Sequence, residues 1–216
     1  MRVLLPGPSR DADLEHAYRI EDPGARHVRA NFVSSLDGVA TVSGRSRGLS
    51  SEGDRRIFGT LRAMSDVILV GAGTARVERY RTPSLPAGVQ ARRVEAGLAP
   101  LPRLAVLSSS LRLAGDLPLF GDPAEPPLLL VAPRAAELRD DLAGRAEAVE
   151  VGPVVAGRIP LPAVVAALQQ RNLRRILCEG GPDLLSQLLA ADLVDELCLT
   201  VSPQLVGPGE VRLLTT

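Results

Sequence analysis

Short apolar runs recur along this chain, each leading into a stretch of helical periodicity, and that alternation limits the available folds more than any other feature. The run VRANFVSS (28–35) is rich in strand formers and stops at Asp37-Gly38, a turn pair. VILVG (67–71), LAVL (104–107), LLLV (128–131), RRILC (174–178) and ELCLTV (196–201) follow it. Uninterrupted runs of this length belong to strands covered on both faces. Between them, Ser51-Glu52-Gly53-Asp54 resembles a capping box ahead of Ile57, Phe58, Leu61 and Met64, which recur at helical spacing. Further helices are expected over 135–143, over 161–168 with Pro162 in the first turn, and over 182–190. Strand, helix, strand repeated along one chain predicts an α/β fold: a largely parallel sheet with helices on both faces. The proline-rich stretch 79–102 reads as a long surface loop, and VRLLTT ends the sequence in an apolar run that reads as an unfinished strand.

At 216 residues the chain has the length of one large α/β domain, and it is read as one, 1–216. Arginine supplies all 25 basic residues and Asp and Glu together number 25, so no basic surplus exists to hold nucleic acid. A small-molecule partner is expected, with no nucleic-acid and no membrane partner, in the cytoplasm. No apolar stretch reaches membrane-span length. Without lysine, no catalytic scheme can use an ammonium side chain. Cys178 and Cys198 lie in apolar runs without metal-ligand spacing and read as inert buried thiols, and His16 and His27 precede the first core strand. No metal site is expected.

Three segments carry chemistry. VILVGAGT is a buried strand running into Gly71-Ala72-Gly73-Thr74, where glycines let backbone N–H groups approach a phosphate and Thr74 adds a hydroxyl. Arg76 stands where the third glycine of a dinucleotide fingerprint would fall, so an ordinary strand-end turn accounts for this motif equally well. ILCEGGPDLL is a second buried strand, entering Gly180-Gly181 and a helix at Pro182 whose unpaired N–H groups suit a pyrophosphate, with Glu179 in the same crevice. The loop Ser43-Gly44-Arg45-Ser46-Arg47-Gly48 either holds a phosphate or is simply exposed.

Taken in order, Ser35-Leu36-Asp37-Gly38, Leu61-Arg62-Ala63, the strand into Gly71-Ala72-Gly73-Thr74, Glu179-Gly180-Gly181-Pro182, LVDEL (193–197) and SPQLVG (202–207) resemble the reductase domain of the bacterial riboflavin-pathway deaminase-reductases. The resemblance spans 28–207 and leaves 1–27 as an N-terminal extension. It implies a dihydrofolate-reductase-like three-layer α/β/α fold, mostly parallel with an antiparallel C-terminal strand, and a homodimer. It implies NADPH as cofactor, held by Gly48, Gly71, Gly73, Thr74, Glu78, Ser108, Gly180, Gly181, Pro182, Asp183, Leu184 and Leu185. It implies a ribosylaminopyrimidine phosphate as substrate, reduced at C1′, as in 5-amino-6-(5-phosphoribosylamino)uracil reduction. Ser46, Arg62, Glu179 and Asn31 would bind it, Glu179 beside the hydride as the catalytic group. Arginines and serines flank both glycine turns and the acidic ribose partner of NAD sites is missing, which also favours NADPH.

Two departures stand out. Such reductases usually carry lysine where this chain has Asn31, and an Asp followed by a Pro-containing loop where it has Glu78-Arg79-Tyr80. The deaminase half is missing, with no H-x-E and P-C-x-x-C zinc signature. A stand-alone paralogue is the expectation, against a dihydrofolate or pteridine reductase of the same fold and a non-catalytic NADPH-binding protein.

Overall fold

A computed structural model describes residues 2–3, 10–11, 13–111, 113–122, 125–133 and 140–214. Strands β1 (Arg2–Val3) and β2 (Arg10–Asp11) pair as a small antiparallel ribbon, followed by the single-turn helix α1 (Leu14–Ala17). The main sheet is built from β3 (His27–Ser35), β4 (Val67–Gly71), β5 (Arg103–Ser108), β6 (Leu128–Val131), β7 (Glu147–Glu150), β8 (Arg175–Gly180) and β9 (Glu196–Ser202). Their order is β7-β6-β5-β4-β8-β3-β9, and every pair is parallel. Helices α2 (Glu52–Met64), α3 (Ala72–Val77), α4 (Ala87–Glu95), α5 (Leu161–Gln169) and α6 (Pro182–Ala190) complete the described elements.

The apolar runs are the strands because helices shield the sheet from both sides. On one face Leu161, Val164, Val165 and Leu168 of α5 and Leu184, Leu185 and Leu188 of α6 pack on Val28, Val67, Leu69, Ile176 and Cys178. On the other, Leu61 of α2 and Ala75 of α3 meet Ile68, Val70, Val106 and Leu177, joined by Leu113, Leu119 and Phe120 from a loop. Ser51 caps α2 as its spacing predicts, accepting from the Asp54 amide at 3.1 Å.

The expected antiparallel C-terminal strand is not there. β9 runs parallel to β3, in register from Arg29 opposite Glu196 to Ser35 opposite Ser202. The reason is the connection: α6 carries the chain back across the sheet to the end where β3 starts, and a strand leaving from that end points the same way. Past β9, the described part of VRLLTT (211–214) forms an isolated antiparallel bridge, Arg212 to Val39, in place of the strand read there, and 215–216 lie outside the described residues. The stretch 79–102 is no continuous loop, since α4 occupies its middle. The helix expected over 135–143 falls largely outside the described residues, and Asp140–Leu142 is a 3-10 turn. Among the described residues no helix is long and apolar enough to cross a membrane.

Candidate active site

β4 and β8 are neighbours in mid-sheet, so α3 and α6 start side by side and open a cleft of about 1450 Å³ at the C-terminal edge. Single small-molecule sites occupy about 300–1000 Å³, so this one has room for two ligands.

Its floor is Glu179. The carboxylate is 1% exposed, and Arg62 reaches across from α2 to grip both oxygens, Nε to Oε1 and Nη2 to Oε2 at 2.7 Å each. Tyr80 donates its hydroxyl to Oε2 at 2.9 Å. Phe58, one turn before Arg62, lays its ring 4.2 Å from the guanidinium carbon. A bidentate arginine fork compensates a buried carboxylate well, and the aromatic face suits the flat cation. Burial, with the Glu179 charge beside it, pushes the Tyr80 phenol well above its usual value of 10, which keeps its proton in place for that hydrogen bond.

Directly after Glu179 the chain turns into α6. Gly180 sits at φ +121°, a conformation that L side chains rarely adopt. A Cβ on Gly181 would run into the Thr74 hydroxyl, so the two glycine turns interlock. Gly181 is the N-cap of α6 and Pro182 its first residue. The first-turn N–H groups, at Asp183 and Leu184, have no intrahelical acceptor and suit an anion. At the other turn Gly71 is the N-cap of α3 and Gly73 lies inside its first turn, so GAGT is a helix start and not a free loop.

Asn31, Ser46, Arg62, Gly71, Gly73, Thr74, Glu78, Ser108, Glu179, Gly181, Pro182, Asp183 and Leu184 all line this one cleft. Leu185 instead packs in the core, and Gly180 is buried behind the turn. Gly48 is a glycine because a Cβ there would lie 2.8 Å from that of Val42. Ser46, expected at the substrate, and Glu78, expected at the cofactor, are bonded to each other: the Ser46 amide and hydroxyl both donate to Glu78 Oε1, at 2.8 and 3.0 Å. Asp183 pairs with Arg158 at 3.0 Å on the rim. His27 lies away from the cleft against Glu196, and burial raises both thiols, Cys178 and Cys198, to about 12.

Sequence reasoning missed Tyr80 and Phe58. Tyr80 lay in the departure at 78–80, whose content carried no hint of a contact with Glu179, and Phe58 fitted the helix's apolar stripe. Arg93 of α4 was missed altogether: it donates to the carbonyls of Ala63 and Ser65 at 2.7 and 2.9 Å, holding the end of α2 that carries Arg62. The Ser35-Leu36-Asp37-Gly38 motif turns out to be a clasp. Asp37 accepts from the Ser35 hydroxyl at 2.5 Å and from the amides of Val206 and Gly207 at 3.2 and 2.8 Å. Those donors hold its carboxyl at about 2.

The RibD C-terminal domain matches residues 26–216. This chain belongs to that family. The 2,5-diamino-6-ribosylamino-4(3H)-pyrimidinone 5′-phosphate reductase of Archaeoglobus fulgidus is 31% identical over 182 residues, 84% of this chain and 82% of the relative. The reductase of the same name from Methanothermobacter thermautotrophicus is 32% identical over 194 residues, 87% of this chain and 82% of the relative. Among solved structures, a pyrimidine reductase-like protein from Corynebacterium diphtheriae superposes with a TM-score of 0.82 at 30% identity, covering 94% of this chain and 86% of that one. The family is one of reductases, and stand-alone members match this chain over most of their length.

Proposed function

We propose that the chain is an NADPH-dependent reductase that opens the ribose of a ribosylaminopyrimidine 5′-phosphate to a ribityl chain, acting on the 2,5-diaminopyrimidinone form named for its archaeal relatives. The observation that carries this is the adjacency of Glu179 to the start of α6: a gripped carboxylate and an anion-ready helix end lie three residues apart in one cleft. Cofactor and substrate would therefore meet at Glu179.

The cleft suits a dinucleotide on its own evidence. Arg47, Arg79 and Arg81 line it and are exposed, and none has an ion-pair partner among the described residues. With α6 they supply positive charge for phosphates, an extra 2′-phosphate included. Thr74, Gly181, Pro182 and Ser108 would hold the nucleotide. When bound, it supplies the hydride. Reduction then breaks the C1′–O4′ bond, places the hydride on C1′ and puts a proton on O4′. Positive charge grows at C1′ and its nitrogen as the ring opens, and the Glu179 carboxylate, fixed by Arg62 and Tyr80, would offset it without reorganising.

The test is loss of reduced-nicotinamide absorbance with the 2,5-diaminopyrimidinone and its uracil counterpart side by side, each with NADPH and NADH. Turnover of the diaminopyrimidinone with NADPH preferred is expected, and no turnover of either pyrimidine would remove the proposal. Assembly as a homodimer fits the edge strand β9, which leaves Leu197, Leu199 and Val201 exposed beside unpaired backbone. Sedimentation of the parent and of Leu199→Arg tests it, with a dimer expected for the parent only.

A further inference from the structure

Arg93 is buried where an arginine is costly to bury. Only 3% of the residue is exposed, it lies outside the cleft, and no carboxylate pairs with it among the described residues. Its Nη2 has no hydrogen-bond partner there either. Arginine is almost never fully buried unless paired, so its use has to be sought in the bonds that it does make.

Those bonds run mainly to the C-terminal end of α2. From Met64 the chain passes through an extended Ser65 (φ −99°, ψ 153°) toward β4, with no left-handed residue to close the last turn. The final carbonyls of the helix would then lack donors. Arg93 supplies them: Nη1 donates to the carbonyls of Arg62, Ala63 and Ser65 at 3.3, 2.7 and 2.9 Å, and Nε to that of Ala99 at 2.9 Å. The Ser65 hydroxyl adds a bond to the Arg62 carbonyl at 3.1 Å. The backbone of Arg62, whose fork grips Glu179, is therefore pinned from α4.

The same docking fixes the second group on Glu179. Segment 79–86 runs from the end of α3 into α4. At one end the Tyr80 amide donates to the Ala75 carbonyl at 3.0 Å, and at the other Gln90 of α4 donates through Nε2 to the Leu85 carbonyl at 2.8 Å. Pro83 and Leu85 between them are buried. Arg62 and Tyr80, which together hold the Glu179 carboxylate, thus hang from elements that meet at Arg93. We propose that Arg93 is a positioning residue of the reaction: by docking α4 on the end of α2 it sets Arg62 and Tyr80 at Glu179, without itself touching a ligand. The inference rests on the reductase reading, with Glu179 at the reacting carbon, and adds to it a residue outside the cleft.

The test compares the parent with Arg93→Met, or with Arg93→Lys, which keeps a cation and donors, should the methionine variant not fold. The first readout is limited tryptic cleavage of the native protein, which needs no turnover. Arg79 and Arg81 are exposed on the segment, and Arg171, exposed after α5, serves as the control. The variant should be cut after Arg79 and Arg81 at least about tenfold faster than the parent, and after Arg171 within about twofold of it. The second readout is steady-state kinetics with NADPH and the preferred pyrimidine. kcat should fall about ten- to a hundredfold, as for a misplaced catalytic group, while KM for either ligand stays within about threefold. Tyr80→Phe acts by the same route, so its loss and that of Arg93→Met should not multiply when the two are combined. Cleavage that is unchanged, or that rises equally at all three arginines, overturns the proposal. So does a kcat equal to the parent's, or losses that multiply in the double variant. If the parent turns over neither pyrimidine, the assigned reaction fails and the kinetic half of the proposal with it, while selective cleavage after Arg79 and Arg81 upholds the docking.

Discussion

β4 and β8 end alike in the sequence, each an apolar strand passing through glycines into a helix, but the two turns are physically different. At the β8 turn the glycines are demanded by the protein. Gly180 has φ +121° and a Cβ on Gly181 would meet Thr74. At the β4 turn nothing demands them: a Cβ on Gly73 would have no atom within 4 Å, and one on Gly71 would make ordinary contacts at 3.8 Å. The same letters therefore record a packed hinge in one place and an open helix start in the other. The packed turn also carries Glu179, the carboxylate on which the proposed reaction is centred.

The sharpest way to break this comparison is Gly181→Val. A branched side chain cannot fit against Thr74, whose own β-branching leaves it little freedom to move aside. NADPH affinity, read by nucleotide fluorescence, should fall by at least about a hundredfold, roughly 3 kcal/mol, with circular dichroism showing the sheet retained. Gly181→Ala should lose less, and Thr74→Ala added to it should return part of the loss, since the clash is with the threonine hydroxyl. A Gly181→Val protein that binds like the parent would make the two turns equivalent.

Next in size is Arg62→Ala. With Glu179 1% exposed, removing the arginine leaves a buried carboxylate held only by Tyr80. Breaking a buried pair from one side costs about 3–5 kcal/mol, and unfolding in urea should show a loss toward the lower end, as Arg62 itself keeps 23% of its side chain exposed. Adding Glu179→Gln should restore part of that stability while activity stays lost. If Arg62→Ala is as stable as the parent and only raises KM for the phosphorylated substrate, Arg62 serves the substrate's phosphate and the packed turn owes it nothing.

How much of this was legible in the sequence follows from what kind of information each feature leaves there. Strands covered on both faces leave apolar runs, so β3, β4, β5, β6 and β8 were readable, and β9 was readable from its own apolar run although Leu197, Leu199 and Val201 are exposed. β7 was not, because at the sheet's edge only Val149 of EAVE is buried. α4 hid in a proline-rich stretch where a short helix starts just after Pro86. The direction of β9 was misjudged because a strand's pattern is the same read either way, and only the connection through α6 sets it. In the site, Arg62 and Glu179 were each singled out, but not their union. Their 117-residue separation leaves no local trace, and Arg62, expected among the substrate's ligands, closes its fork on the Glu179 carboxylate. Tyr80 occupied a place recognised as unusual, yet its partner appears only when β8 lies beside β4.

The smallest expected effect tests the open turn. Gly73 is exposed and lies in the first turn of α3, in helical backbone that alanine adopts more readily. Gly73→Ala should raise stability by up to about 0.5–1 kcal/mol, less if the helix end frays, because the unfolded chain loses freedom and no atom stands in the way of the new methyl. NADPH affinity should stay within about threefold of the parent, since a site where the protein leaves space for Cβ needs glycine only if a ligand fills that space. The two readouts must be taken together. Greater stability with unchanged affinity would leave β4's turn as a helix start and assign nucleotide binding to the β8 turn and Thr74. Greater stability with a loss beyond about tenfold would mean that the nucleotide itself packs on Gly73. Both turns would then be cradles, one shaped by the protein and the other by its ligand.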